Sequence, residues 1–219
     1  MNEKLRDDLQ RLIPGLRSSI DAEYLIRHSI DALNPNRVFH PTKNWPKLPQ
    51  IVVRPKNTDE VAKIVRFAST QGVTVVPWGG GTGVMGGAIS TESGIILDLK
   101  SLNAIHSIDP ISQLTEVGAG MVLKDLNNSL TGHGMFLAHD PWSLPIATVG
   151  GAISTNGVGY LAGKYGSMGD QVIGLEVILP SGEILQPKFV SKVAGPNLND
   201  LLLLQSTSIT CISLISTRV

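Results

Sequence analysis

Three features of the sequence predict an α+β fold preceded by N-terminal helices. Between residues 51 and 87 a short apolar strand, an amphipathic stretch, a second strand and a glycine loop follow one another, the order of a βα unit. From 95 to 120, and again from 172 to 185, short apolar segments are separated by short turns, which suits antiparallel pairing. The 23 glycines gather at 79–87 and 150–169 instead of scattering, and clustered glycine points to sites.

Taken in order, Leu5, Leu9, Leu12 and Ile13 recur on one helical face, and Pro14-Gly15 ends the pattern. A second helical stretch covers Asp21–Ser29. The run NPNRVFHPTKNWPKLP carries prolines at 35, 41, 46 and 49, each without an amide donor, and precludes regular structure. Residues 1–45 are therefore expected to form an N-terminal helical segment and linker, and 46–219 the main domain. IVVRP at 51–55 reads as a buried strand, and Val61, Ile64, Val65 and Ala68 mark a helix closed by Gly72. VTVVP at 73–77 is the next strand and runs straight into WGGGTGVMGG, with parallel pairing of these two strands expected.

IILDL at 95–99, AIHSI at 104–108 and LTEVGAG at 114–120 follow as antiparallel strands, then a short helix over Val122–Leu130 that ends at Gly132. The stretch from His139 to Gln171 is long, glycine-rich and polar, the texture of a functional loop. VIGLEVILPSGEIL at 172–185 closes the pattern as a hairpin, with Ser181-Gly182 at the turn.

Composition narrows the function. With 42% hydrophobic and 16% charged residues, the chain has enough apolar material to offset the entropy of folding. Lys plus Arg and Asp plus Glu are equal at 18 each, which removes the bulk attraction that nucleic acid or an anionic membrane exerts on a basic protein. Any anion must be held locally. A single cysteine, Cys211, allows no internal disulfide and no metal cluster, which fits a reducing compartment, and a cytoplasmic location is expected. The opening MNEKLRDDLQ is charged and unlike a secretory signal, and no apolar run reaches the length of a membrane span.

The chemistry lies in two glycine loops. Gly79-Gly80-Gly81-Thr82-Gly83 with Gly86-Gly87 follow a strand directly, and residues without Cβ let backbone N–H groups turn toward a phosphate. No Lys-Ser or Lys-Thr follows, and no G-x-G-x-x-G opens a helix, so neither a Walker A loop nor a Rossmann fingerprint is present. An isolated triple glycine is equally a tight-packed turn; the second loop tips the balance toward a ligand. There Thr148, Gly150, Gly151, Ser154, Thr155, Asn156 and Gly157 supply hydroxyl, amide and bare backbone groups, the mixture that a polar heteroaromatic ring needs. Trp142, just ahead, reads either as a wall of the site or as core.

PWGGGTGVMGG, HDPWSLPIATVGGAISTNGVGY and KYGSMGDQVIGLEVILPSGE together resemble the FAD-binding domain of the vanillyl-alcohol oxidase superfamily, over Pro49 to Leu198. Within it the wording is similar to the glycolate oxidase flavoprotein subunit, to D-lactate dehydrogenase and to alkyldihydroxyacetonephosphate synthase. The resemblance implies a two-lobed domain with an extended FAD between the lobes. Carried over by position, it assigns Trp78, Gly79, Gly80, Gly81, Thr82, Gly83 and Val84 to the FAD diphosphate. Trp142, Ser143, Leu144, Pro145, Ile146, Ala147 and Thr148 match a second contacting stretch, and Ser154, Thr155, Asn156 and Gly157 a third. Covalent members often place histidine after the glycines, where this chain has Thr82, so FAD is expected to be non-covalent. A bulky residue at Gly81 is expected to block the diphosphate and leave the fold intact.

Among the histidines, His139 beside Asp140 is best placed near the second loop, and it reads as a hydrogen-bonded structural residue. His28, His40, His106 and His133 are assigned no role, Asp98 is expected to face solvent, and Lys164-Tyr165-Gly166 to serve packing or cofactor support. The resemblance implies a small-molecule substrate, a 2-hydroxy acid oxidised by hydride transfer to FAD, and a possible redox partner subunit. An ether-lipid synthase type of chemistry and an inactive FAD-binding remnant remain alternatives. No catalytic residue can be named, because the family's substrate groups come mostly from a cap domain outside these 219 residues. Around Asp200 the family continues into a third turn, Gly-Ser-Glu-Gly-Thr-Leu-Gly, whereas Leu201–Val219 contains no glycine and no acidic residue. The chain alone is therefore expected to hold FAD weakly and not to sustain turnover. The β-branched Ile209–Ile215 stretch is expected to complete a strand or to stand as an aggregation-prone edge.

Overall fold

The structure is a computed structural model that describes residues 2–33 and 46–185 and the backbone of 211–218. The proline-rich linker up to residue 45, His40 and the 201–210 stretch lie outside the described residues.

The first lobe is built on a four-stranded sheet. Helix α1 (Asn2–Leu12), strand β1 (Arg17–Ser19) and helix α2 (Ala22–Arg27) come first. Strand β2 (Ile51–Arg54), helix α3 (Thr58–Gln71), strand β3 (Val75–Trp78) and strand β4 (Ile95–Asp98) follow, giving the order β1-β2-β4-β3. Strands β2 and β3 run parallel, as their crossover through α3 requires, but they do not touch: β4 lies between them, parallel to both. This corrects the antiparallel reading of IILDL. Ile95, Ile96, Leu97 and Asp98 are all buried, and a strand apolar on both faces belongs at the centre of a parallel sheet.

Side chains alternate across this sheet with the period of two that a strand imposes. Ile51, Val53, Val75, Ile95 and Leu97 pack under Val61, Ile64, Val65 and Ala68 of α3, Leu5 and Leu9 of α1, and Ile13 just after it. Val52 and Ile96 face the other way, against Leu25, Tyr24, Val76 and Trp78. Helix α3 starts where the Asn57 side chain accepts from the Glu60 amide, and it ends on Gly72 in the left-handed region. The segment ahead of the linker is thus packed into the first lobe: α1 shares its core and β1 pairs antiparallel with β2.

The second lobe is an antiparallel sheet ordered β5-β6-β9-β7-β8. Its strands are β5 (Ile105–Asp109), β6 (Leu114–Gly118), β7 (Val172–Ile178), β8 (Ile184–Leu185) and β9 (Cys211–Arg218). The β7–β8 hairpin turns at Ser181-Gly182, as expected. Strand β9 pairs with β6 on one side and β7 on the other, so the segment read as a strand or an open edge is an interior strand. Helices α4 (Leu123–Thr131) and α5 (Val149–Ser154) bring Leu123, Leu126, Leu130, Val149 and Ile153 into one core with Val117, Leu175 and Val177. A short helix, α6 (Ala162–Tyr165), precedes β7. Between the lobes, the Thr58 hydroxyl donates to Glu176 at 2.8 Å, and Arg66 donates to the carbonyls of Ser181 and Gly182. No helix among the described residues is long and apolar enough to cross a membrane.

Leu97 is the fully buried middle of the central strand, so Leu97→Ala should cost about 2–5 kcal/mol of unfolding free energy in a urea titration. A loss below about 1 kcal/mol, the size of an ordinary surface change, would contradict the central placement of β4.

Candidate functional site

The parallel strands of the first lobe end together. Register sets Val53 beside Leu97 and Trp78 beside Asp98, so Arg54, Asp98 and Trp78 terminate three adjacent strands at one edge. In open sheets of this kind ligands bind beyond the carboxyl ends of the strands, and the first glycine loop leaves from that edge.

Residues 79–87 follow Trp78 without forming a helix or strand. Among the described residues, none supplies an acceptor for any backbone amide from Gly79 to Gly87. The first amides after Trp78 to find one are those of Ala88, 3.5 Å from Asp31 Oδ2, and Ile89, which donates to the Gly86 carbonyl. Buried amides are nearly always paired in folded proteins, and Gly79–Gly83 and Gly86 are half-buried while Val84, Met85 and Gly87 are exposed, so the loop presents backbone donors of the kind that can face an anion. The glycines explain how the loop lies where it does. A Cβ on Gly79 would stand 2.3 Å from the Thr148 hydroxyl, and one on Gly80 would stand 2.3 Å from the Ile146 carbonyl oxygen. The first loop therefore meets the 146–148 stretch closely, Gly80 against its backbone and Gly79 against the Thr148 side chain.

Gly81 differs from its expected role. Its φ is +64°, and a Cβ there would lie 2.7 Å from the Trp78 ring. Any substitution strains the backbone and displaces Trp78, so the loop itself would change before a ligand arrived. Thr82 and Gly83 are half-buried, and Val84 is exposed.

The second loop is anchored rather than open. Leu123 donates to the Ala147 carbonyl, Val149 to Met121 and Gly150 to Ala119, fixing 147–150 along the exit of β6. The buried Thr148 hydroxyl accepts from the Gly151 amide at 3.3 Å and caps α5. Ser154 and Thr155 donate their hydroxyls to the carbonyls of Gly150 and Gly151, and Asn156 Oδ1 accepts from the Gly169 amide at 2.8 Å. The polar groups read as ring contacts thus hold α5 and its following turn, while Ser154 and Thr155 keep acceptor lone pairs. Ser143 and Ala147 are buried and Leu144 is half-buried against the second core. Pro145 and Ile146 are exposed, and Trp142, at 67% exposure, is not core. Val158 and Tyr160, like Trp142 and Ile146, are exposed.

Asp98 is fully buried, not solvent-facing. Its carboxylate accepts from Arg54 through Nε at 2.9 Å and through Nη2, and from the Lys100 amide at 3.0 Å. Arg54 also donates to the Tyr24 hydroxyl at 2.7 Å, and the Lys100 ammonium lies 4.6 Å from the Trp78 ring centroid. His28, assigned no role from sequence, is buried, with Nε2 3.5 Å from Asp98 and Nδ1 2.9 Å from the Tyr24 carbonyl. Burial alone would raise the Asp98 carboxyl, but His28, the Lys100 amide and Arg54 outweigh it and hold the pKa below its usual 3.8. An acid and a base closing two adjacent apolar strands, IVVR and IILD, were the signal in the sequence.

His139 is buried as well, packed against Gly157, and its Nδ1 finds no partner among the described residues. Burial lowers its pKa, with Asp140 opposing weakly, so the ring is neutral and structural without the hydrogen bond expected of it. Its neighbour Asp140 accepts from the Leu161 amide at 2.8 Å. His106 and His133 are exposed, and Lys164 lies over the Tyr165 ring at the surface.

The sign of the Asp98 effect follows from its lowered pKa. Its contribution to stability is complete above the unfolded value of 3.8 and is lost as the pH falls through the lower folded value. Asp98→Asn should cost about 3 kcal/mol at neutral pH, the low end for breaking a buried pair because Arg54 is partly exposed. It should also make stability fall less steeply with acid below pH 3.8. Urea midpoints that moved in parallel for variant and parent across that window would contradict the pairing.

The sequence profile of a family described as "FAD binding domain" matches residues 49–187, which include both loops. The glycolate oxidase subunit GlcD of Bacillus subtilis (strain 168) is 37% identical over 165 residues, 74% of this chain and 35% of the relative. D-lactate dehydrogenase of Archaeoglobus fulgidus is 38% identical over 154 residues, 69% of this chain and 34% of the relative. The chain therefore spans about a third of the length of the curated relatives it matches. A solved alkyldihydroxyacetonephosphate synthase superposes on all of this chain and 40% of its own, with a TM-score of 0.84 at 23% identity, which shows a shared fold. An α+β architecture of two lobes, glycine loops that meet between them and a match across 49–187 place the chain in the FAD binding domain family.

Proposed function

We propose that this chain is the FAD-holding part of a flavin-dependent oxidoreductase that oxidises a 2-hydroxy acid of the glycolate or D-lactate type. The observation that carries the reading is the run of amides from Gly79 to Gly87 that find no acceptor among the described residues, beyond the carboxyl ends of parallel strands. A diphosphate is the natural occupant, because charge-assisted bonds to anionic oxygens are stronger than neutral ones, and the chain's zero net charge leaves local donors to do the binding. Trp78 through Val84 hold the diphosphate. The exposed side chains of Trp142 and Ile146 flank the ring, and Ser154, Thr155 and Asn156 to Gly157 bound the far side. Gly79 and Gly80, by admitting the Ile146–Thr148 backbone, set the distance between the two halves of the cofactor's bed.

When bound, FAD accepts a hydride from the substrate carbon. The chain's residues bind and orient: the first loop fixes the diphosphate, the second offers an apolar wall that keeps water from one face of the ring. With Thr82 in the loop, the cofactor is held without a covalent bond. The substrate class rests on the names of the two relatives, glycolate oxidase and D-lactate dehydrogenase. Substrate groups, a redox partner and cellular location belong to the whole protein.

Titration of the chain with FAD should quench flavin fluorescence saturably, and acid precipitation should release all the colour. Riboflavin, which lacks the diphosphate, should bind at least about a hundredfold more weakly, since two or more charge-assisted bonds are lost. Equal affinity for the two, or none for FAD, would defeat the reading. Flavin on residues 1–219 alone is expected to stay oxidised, and stoichiometric bleaching by glycolate or D-lactate under argon is the outcome expected of the whole protein. Bound flavin in the whole protein that no 2-hydroxy acid bleaches would favour a chemistry without net redox change.

A further inference from the structure

Residues 24–33 lie ahead of the span that the FAD family covers, yet they back the first glycine loop from end to end. The His28 ring sits 4.3 Å from the Tyr24 ring and 4.4 Å from the ring of Trp78, which opens the loop. Asp31 Oδ2 is 3.5 Å from the Ala88 amide, and a Cβ on Gly83 would stand 3.4 Å from the same oxygen. Leu33 comes within 3.3 Å of the Cβ position of Gly86, and the Ser29 carbonyl accepts from the Ser90 amide at 2.9 Å.

We propose that residues 24–33 form a brace that holds the glycine loop in its amide-exposing form, with His28 and Asp31 as positioning residues. A loop whose nine amides have no described partner has little internal reason to keep one conformation, and ordering it on binding would cost affinity. The brace supplies the missing constraint from behind, leaving the amides free. It is itself well anchored. Asp21 caps α2, His28 bonds the Tyr24 carbonyl, the Ser29 hydroxyl donates to Ile26, and Asp31 Oδ1 accepts from the Leu33 amide. His28 also lies within 3.5 Å of the buried Asp98 carboxylate, which ties the brace to the strand ends from which the loop departs.

The affinity part of this proposal rests on the reading that the loop holds FAD; the brace is a property of the flavin-free chain. Two measurements on the full chain keep them apart: hydrogen exchange of residues 79–90 without flavin, and FAD titration. His28→Ala and Asp31→Ala should speed exchange across 79–90 at least about tenfold and weaken FAD by a similar factor. His28→Phe keeps the ring between Tyr24 and Trp78 but loses the contacts to the Tyr24 carbonyl and Asp98, and Asp31→Asn keeps one of the two acceptors, so each should recover part of both losses relative to its alanine variant. Leu9→Ala, a core change in α1, should lower global stability and leave the exchange of 79–90 relative to α3 unaltered. Asp31→Ala lies outside the hydrophobic cores and serves if His28→Ala fails to fold. Loop exchange unchanged in both alanine variants, or raised no more than in Leu9→Ala, would overturn the brace. A parent chain that bound no FAD would defeat the functional reading, and the exchange result would still decide the brace.

Discussion

Two backbones pass each other where the lobes meet, and the rest of the molecule is arranged around that passage. With Cβ positions of Gly79 and Gly80 only 2.3 Å from atoms of Thr148 and Ile146, neither position can carry a side chain. The contact joins a loop leaving a parallel sheet to a loop pinned along an antiparallel one. Each sheet brings its own core: α3 and α1 over the first, α4 and α5 over the second. Neither core alone would hold the two loops together. The close approach does so without hydrogen bonds from residues 79–87, and for that reason their amides remain available.

Polar groups are divided between structure and binding in a consistent way. In the second loop the side-chain oxygens of Thr148, Ser154, Thr155 and Asn156 are engaged close to home, in capping α5 and closing the turn after it. Beneath the first loop, Arg54, Asp98 and Tyr24 satisfy one another. A buried carboxylate of this kind is tolerated because its partners outweigh the desolvation that burial imposes. What is left uncommitted is the backbone of 79–87 on one side and an apolar, aromatic surface on the other. A phosphate at one end and a planar ring at the other describe a flavin nucleotide better than they describe a metal or a peptide.

Much of this was legible in the residues. The periodicity of Val61, Ile64, Val65 and Ala68 and the glycine at 72 marked α3 and its end, because an amphipathic stripe and a helix stop are local signals, while its start at Thr58 behind the Asn57 cap was not read. The order of strands was not legible. Nothing within IILDL says that it slips between β2 and β3 instead of pairing with its sequence neighbours; only its full burial on both faces does, and burial is a property of the assembled sheet. Asp98 and His28 were misread for the same reason. A carboxylate after three apolar residues looks solvent-facing until register sets it beside Arg54. The site loops were found by composition, but the reason for each glycine was not: Gly79 and Gly80 serve contacts 69 and 66 residues away, and Gly81 serves its own backbone and Trp78.

We propose that the amides of 79–87, which find no acceptor among the described residues, receive the cofactor's diphosphate. Amide-resolved NMR of the 15N-labelled chain tests it most directly, with FAD, ADP and riboflavin added in turn. The account predicts large shifts of the 79–87 amides with FAD and with ADP, and small ones with riboflavin. Shifts confined to the second loop for all three ligands, with 79–87 unmoved, would contradict it.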